Sequence, residues 1–410
     1  MPKINSPHAH VFKLLSLIYT HERISRTELV ERTGDSTFLV SKLTDKLLKD
    51  GLISEVGAGV SSGGRPPVLL SMNPDVARLI GVHIGTINLR AALTDVQGNV
   101  LAQRVDKSRV QEGPEKALPH MSGIVRGLLK EAHVEAGRLS GIGIGIAGIL
   151  DRAQGVTLSW PRVPSWSCVP IKESVEKTFK TLVEIDDTPR TMALAERRFG
   201  RARGATNFIY IALGAGVGAS LFLNRDLYTG HGGFAGEFGH TSIDEEGPLC
   251  SCGNRGCLEG FVSASTLIRR AGEGLAAGLS GELYRLAREN GGQLNLQSIG
   301  RAAGAGDRFC LGLLSEASRH VATGITSLIN LLNPELIVLG GGLVKEAGRW
   351  LLPEVQRQVH ERAMPSSASQ VTIAISELSE IDWARGASLL LSSKVLKKLL
   401  HVRAKKKAPL

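Results

Sequence analysis

The chain has 410 residues, 42% of them hydrophobic, with 49 Lys+Arg against 39 Asp+Glu and five cysteines. That composition suits two or three packed domains and excludes a disordered or collagen-like chain, and no apolar run reaches the roughly 18 residues that a membrane span requires. The formal charge of +10 is no argument for nucleic acid by itself, because seven basic and no acidic residues lie from Lys394 onward; subtracting those seven leaves +3 for the other 393 residues.

From the N-terminus, a short apolar stretch is broken at Tyr19-Thr20-His21-Glu22 without a small-residue cleavage site, so no signal peptide is expected and the cytoplasm is the expected compartment. Three helical patterns follow. Val11, Leu14, Leu15 and Ile18 recur at helical spacing. Ser25-Arg26-Thr27-Glu28 reads as a capping box opening a second helix that closes at Thr33-Gly34. A third helix is expected from Ser36 to Asp50, with Leu39, Leu43 and Leu47 inward and Ser36, Thr37, Ser41, Lys42, Asp45 and Lys46 outward. Two short strands, 52–56 and 68–70, flank a glycine- and proline-rich wing that carries Arg65. Small residues let such a wing approach the sugar-phosphate backbone, and an arginine suits a narrow minor groove.

This predicts a winged helix-turn-helix over residues 1–75, with Ser36, Thr37, Ser41, Lys42 and Arg65 as the DNA-contacting candidates. A three-helix fold with a wing also serves as a dimerisation module. The capping box, turn glycine, polar outer face and wing arginine occurring together favour DNA. Nine basic and eight acidic residues through Asp75 leave the segment nearly neutral, so binding is expected to need two copies on one operator, palindromic by symmetry of a homodimer or tetramer.

From Leu79 the pattern alternates strand and helix, which predicts α/β architecture. Strands are expected at 79–84, 89–95 and 100–106, a helix over 114–136, then strands at 141–148 and 182–185, the last running into Asp186-Asp187. A second set begins at 208–213, continues through a helix ending near Leu332, and reaches a strand at 336–339 followed by Gly340-Gly341-Gly342. Two such units suggest two lobes with a cleft.

Three cysteines crowd into eight residues, Cys250, Cys252 and Cys257, with His240 ten positions upstream. Three thiolates and one imidazole make a closed tetrahedral zinc site with no position left for substrate, hence structural. The alternative is a set of small buried hydrophobes beside a histidine, which the polar, glycine-rich loop disfavours. Cys168 and Cys310 have no such setting.

Gly232 to His240, followed by Cys250-Ser251-Cys252-Gly253-Asn254-Arg255-Gly256-Cys257-Leu258-Glu259, closely resembles the signature of the ROK family of repressors, open reading frames and sugar kinases, and the winged helix matches its repressor branch. The resemblance implies an actin-like, ribonuclease H-like sugar-kinase fold in two lobes. Lobe 1 would span 76–190, with a helix over 382–400 returning to it, lobe 2 would span 191–381 with the zinc loop, and 401–410 would form a basic tail. It also implies a sugar or sugar derivative as effector, bound by Gly148, Asp186, Asp187, Glu237, His240 and Glu259, with Asp187 at the place of the kinase general base. Asp186 stands where the family usually has asparagine. The other reading of the acid pair is a helix cap ahead of Pro189.

The kinases read Asp-x-Gly-Gly-Thr at their first phosphate turn, and here the aligned residues are His83-Ile84-Gly85-Thr86-Ile87, without the acid that would help position magnesium. Gly214-Ala215-Gly216-Val217-Gly218 keeps the glycines of a second turn, and Gly340-Gly341-Gly342 resembles an adenosine turn. A repressor of carbohydrate genes without kinase activity is therefore expected. The competing expectations are an ATP-dependent sugar kinase with a DNA-binding domain, and a scaffold for a protein partner.

Overall fold

Local signals build the N-terminal reader in the computed structural model, which describes residues 7–60 and 66–405. Its elements are α1 (Pro7–His21), β1 (Ile24–Ser25), α2 (Arg26–Thr33), α3 (Thr37–Lys49), β2 (Ile53–Ala58) and β3 (Val68–Met72). The capping box forms: the Ser25 hydroxyl accepts the Glu28 N–H at 3.1 Å and the Glu28 carboxylate accepts the Ser25 N–H at 2.8 Å. Gly34 closes α2 at φ +72°, a conformation that glycine adopts without steric cost. The three strands order as β1-β3-β2.

The inner stripe of α3 is wider than the expected Leu39, Leu43 and Leu47, all three of which pack against the core. Val40, Leu43, Thr44 and Leu47 face the core, and Leu39 is only half-buried. Ser36 is the N-cap and Thr37 the first helical residue. Arg26 ties the reader together, donating to Thr44 Oγ1 at 3.1 Å and Asp45 at 3.0 Å and pairing with Glu55 at 3.4 Å.

The chain continues with β4 (Arg78–Ile84), β5 (Asn88–Asp95), β6 (Val100–Lys107), α4 (Pro114–Glu131), β7 (Leu139–Ile146), the hairpin β8 (Ile149–Asp151) and β9 (Val156–Ser159), α5 (Ile171–Phe179), β10 (Leu182–Asp187) and α6 (Thr188–Phe199). Helix α4 stops five residues short of the expected end, since His133 turns left-handed at φ +52° and ends the helical hydrogen bonding. The sheet orders as β10-β7-β4-β5-β6, antiparallel through β4-β5-β6 and parallel through β4-β7-β10.

Next come β11 (Phe208–Leu213), β12 (Val217–Leu223), β13 (Asp226–Tyr228), the helices α7 (Leu258–Val262), α8 (Ala264–Ala276), α9 (Gly281–Glu289), α10 (Leu296–Gly304) and α11 (Arg308–Leu332), then β14 (Leu336–Gly340), α12 (Gly342–Arg362), α13 (Pro365–Ala368) and β15 (Thr372–Ile375). Their sheet, β13-β12-β11-β14-β15, repeats the same plan: three antiparallel strands, then two parallel additions. The chain ends with α14 (Glu380–Ser388) and α15 (Ser392–Lys405).

The chain forms two compact units. Residues up to Thr191 join those from Glu380 onward, and Met192 to Ser379 form the other. In the first, α14 lies directly on β4 and β7. A Cβ on Gly81 would overlap the Ala384 carbonyl and one on Gly143 the Ala387 carbonyl, so these glycines serve helix contact. The reader shares a hydrophobic core with α15 and the turn before it: Leu14, Leu15, Ile18, Leu47 and Leu70 bury together with Leu391, Val395 and Leu396. Tyr19 Oη and Ser392 Oγ are hydrogen-bonded at 2.6 Å. In the second unit the core runs along α11, which Asp307 caps by accepting the Cys310 N–H at 2.9 Å.

Candidate functional site

In the second unit, a polar loop brings His240, Cys250, Cys252 and Cys257 together, their ligand atoms all within 4.8 Å of one another. Cys250 Sγ lies 3.5 Å from His240 Nδ1 and Cys252 Sγ lies 3.7 Å from Cys257 Sγ. A tetrahedron with zinc–sulfur bonds of about 2.3 Å has ligand separations of about 3.8 Å, so the four groups fit that ion. Backbone hydrogen bonds hold the loop in this shape: Cys250 N–H to Asn254 O at 2.7 Å, Gly253 N–H to Cys250 O at 3.0 Å and Gly256 N–H to Pro248 O at 2.9 Å. Gly256 is at φ +67°, and a Cβ there would overlap the Asp244 carbonyl. Burial, and after it the neighbouring Cys252 and Cys250, push the Cys257 thiol up to about 12. Of the remaining cysteines, Cys168 is exposed and Cys310 is buried in the core.

The Asp186-Asp187 pair sits at the carboxyl end of β10 in the first unit and carries partners that sequence reading missed. Arg152, just after β8, binds Asp186 through Nε and Asp187 Oδ2 at 2.9 Å. Arg190, with a side chain 1% exposed, reaches Asp187 at 3.3 Å and Asp186 at 3.6 Å. Asp187 Oδ1 also accepts the Arg190 N–H at 2.9 Å, so the helix-capping geometry is made and both carboxylate oxygens of Asp187 are engaged. Burial first, and the neighbouring Asp186 second, raise the Asp187 carboxyl above the ordinary carboxylate range, against the pull of Arg190 and Arg152. The local signal for the clamp was two arginines within a few positions of a turn and a helix start, a weak one. Gly148 stands at φ +112°, where a Cβ would lie 2.6 Å from the Ser159 carbonyl, so the turn requires glycine.

The other sugar candidates lie in the second unit. Glu237 is exposed and opens the short helical turn that holds His240. Glu259, in α7, is 8% exposed and accepts the Val217 N–H at 2.9 Å. Gly216 leaves the space for that carboxylate, since a Cβ there would lie 2.8 Å from its Oε2. The second glycine turn is thus tied to the helix that follows the cysteine loop.

The first glycine turn is filled. His83 is 3% exposed, its ring 5.2 Å from that of Trp383, and among the described residues its Nδ1 has no hydrogen-bond partner. Arg90, opposite His83 in the β4-β5 register, donates to Glu380 at 2.7 Å and lies 4.8 Å over the Trp383 ring. Burial lowers the His83 imidazole to about 3, with the Arg90 charge acting in the same direction. Ile87 is 77% exposed at the turn. Neither Trp383 nor Glu380 was legible as a neighbour of this hairpin, since both arrive from about 290 positions away.

On the reader, Thr37 and Lys42 are exposed and Ser41 is half-buried. The Ser36 hydroxyl accepts the Leu39 N–H at 3.3 Å, so its first task is to cap α3. Arg65 lies outside the described residues.

The family description "ROK family" matches residues 79–394. The chain is 32% identical over 367 residues to a xylose repressor from Caldicellulosiruptor bescii, covering 90% of this chain and 91% of that protein. It is 29% identical over 318 residues to a glucokinase from Thermotoga maritima, covering 78% of this chain and 98% of the kinase. A solved structure described as a ROK family transcriptional regulator, homolog of the E. coli MLC protein, superposes with a TM-score of 0.79 at 24% identity and covers 97% of this chain and 100% of its own. No described helix is long and apolar enough to cross a membrane. The match runs over more than three quarters of the sequence and includes the cysteine loop and both glycine hairpins: the chain belongs to the ROK family.

Proposed function

We propose that this protein is a sugar-responsive, DNA-binding transcriptional repressor acting in the cytoplasm as a homodimer or tetramer on palindromic operator DNA. The observation that carries this reading is the winged reader, with a solvated recognition helix, fused to a ROK domain along the same length as the xylose repressor it resembles. Sugar-binding roles are proposed for Gly148, Asp186 and Asp187 in the first unit and for Glu237, His240 and Glu259 in the second. Zinc is proposed as a structural ion held by His240, Cys250, Cys252 and Cys257; when bound it supplies a cross-link that fixes the loop. His240 Nδ1 faces the thiols, leaving Nε2 for an effector hydroxyl.

The first unit offers a route from ligand to reader. Strand β10 ends in the acid pair and begins at Leu182, which packs on the reader core. Glu184 between them pairs with Lys394 of α15, the helix that shares that core. A sugar that draws Arg152 off the acids would shift β10, and α15 would carry the shift to α1. Coupling of 1–3 kcal/mol, about the usual allosteric range, suffices to change operator occupancy.

Kinase activity is the second reading, favoured by the glucokinase relative. Against it stand the filled first turn and the engaged oxygens of Asp187. The test is selection of an operator from a random duplex library by the full-length protein, then anisotropy titration with a sugar panel, with ADP release measured in parallel. A selected operator whose affinity changes with one sugar, without ADP, is expected. Enzyme-like ADP release, or no selected DNA, overturns the reading.

A further inference from the structure

Two large apolar side chains of the reader are more than half exposed among its described residues: Phe38, at 78%, and Val60, at 97%. Phe38 is the second residue of α3 and Val60 lies in the loop after β2. The other apolar side chains of α3 are buried or half-buried, so Phe38 is not spare core that failed to fit. It shares a face with Ser41 and Lys42, three and four residues along the helix, and follows the exposed Thr37.

The first turn of a recognition helix is the part that reaches base edges. In the major groove the one apolar group on those edges is the C5 methyl of thymine, and phenylalanine is among the side chains that contact it. Two polar groups of this helix are already engaged, Ser36 in capping Leu39 and Asp45 with Arg26. We infer that Phe38 is a specificity-determining residue that packs on a thymine methyl in the major groove, beside hydroxyl and ammonium contacts from Thr37, Ser41 and Lys42. This rests on the DNA-binding reading above and adds the identity of the base it prefers.

The experiment uses full-length protein and the operator it selects from a random duplex library. That operator is then amplified with dUTP in place of dTTP, which keeps every base pair and removes every C5 methyl. The wild type is expected to bind the uracil operator about tenfold more weakly than the thymine one. Phe38→Ala is expected to show that same loss on thymine DNA and no further loss on uracil DNA, with unchanged affinity for an unrelated duplex and an unchanged Tm. Phe38→Leu, which keeps an apolar tip, should fall between. Equal wild-type binding to both operators overturns the inference, as does a Phe38→Ala protein that still discriminates them. Selection of no operator removes the DNA-binding reading itself, and the inference with it.

Discussion

The two sheets follow one plan and put their first hairpins to different uses. In the sheet containing β11, the turn at Gly214 to Gly216 receives one carboxylate, as Glu259 bonds the Val217 N–H where a Cβ on Gly216 would intrude. In the sheet containing β4, the corresponding hairpin carries His83 and Arg90, and α14 brings Trp383 and Glu380 against them. The glycines of a hairpin set whether the backbone can turn. Side chains arriving from a distant helix decide what the turn can still hold.

The largest difference between the units should be metal. Cys257→Ser, or chelation, is expected to destabilise the second unit by more than about 5 kcal/mol, because binding energy at a structural site is folding energy. Calorimetry with metal analysis checks this, and a second-unit transition that survives chelation unchanged would erase the contrast. In the first unit the comparable staple is the close contact of α14. Gly143→Val is expected to cost about 3 kcal/mol, since the Ala387 carbonyl cannot yield without moving the helix, and denaturant unfolding reads it.

Next comes acid sensitivity confined to the filled hairpin. The His83 imidazole lies at about 3 in the folded chain against an ordinary 6.5, so the unfolded chain takes up the proton first. Its share of stability is complete above pH 6.5 and is lost as pH falls toward 3, at up to about 1.4 kcal/mol per pH unit. His83→Leu should flatten that limb, and an unchanged slope would place the acid sensitivity elsewhere. The smallest effect on stability is expected from Lys394→Ala, about 0.5 kcal/mol or less, since the ammonium is half-exposed. The same variant should reduce the effect of the sugar on operator affinity if α15 carries the signal.

Much of the architecture was legible because it is local. The capping box at Ser25, the turn at Gly34 and the alternation of strands needed only short-range patterns. The His240 and cysteine cluster was legible because its four ligands fall within 18 residues and their chemistry is distinctive. On α3 the expected Leu39, Leu43 and Leu47 all pack inward, and Val40 and Thr44 widen that stripe. The expected length of α4 failed at His133, whose left-handed backbone no periodicity announces.

What lay beyond the sequence shares one physical cause. Arg152 reaches an acid pair 34 and 35 positions away, and Trp383 and Glu380 close on a hairpin about 290 positions upstream. Hydrophobic periodicity marks which face of an element is buried without marking what covers it. By itself the sequence determined the N-terminal three-helix segment with its hairpin, the two α/β units and the grouping of His240 with three cysteines. Only the tertiary structure decided that the acid pair is held by two arginines, that α15 shares its core with the reader, and that Phe38 is left in solvent.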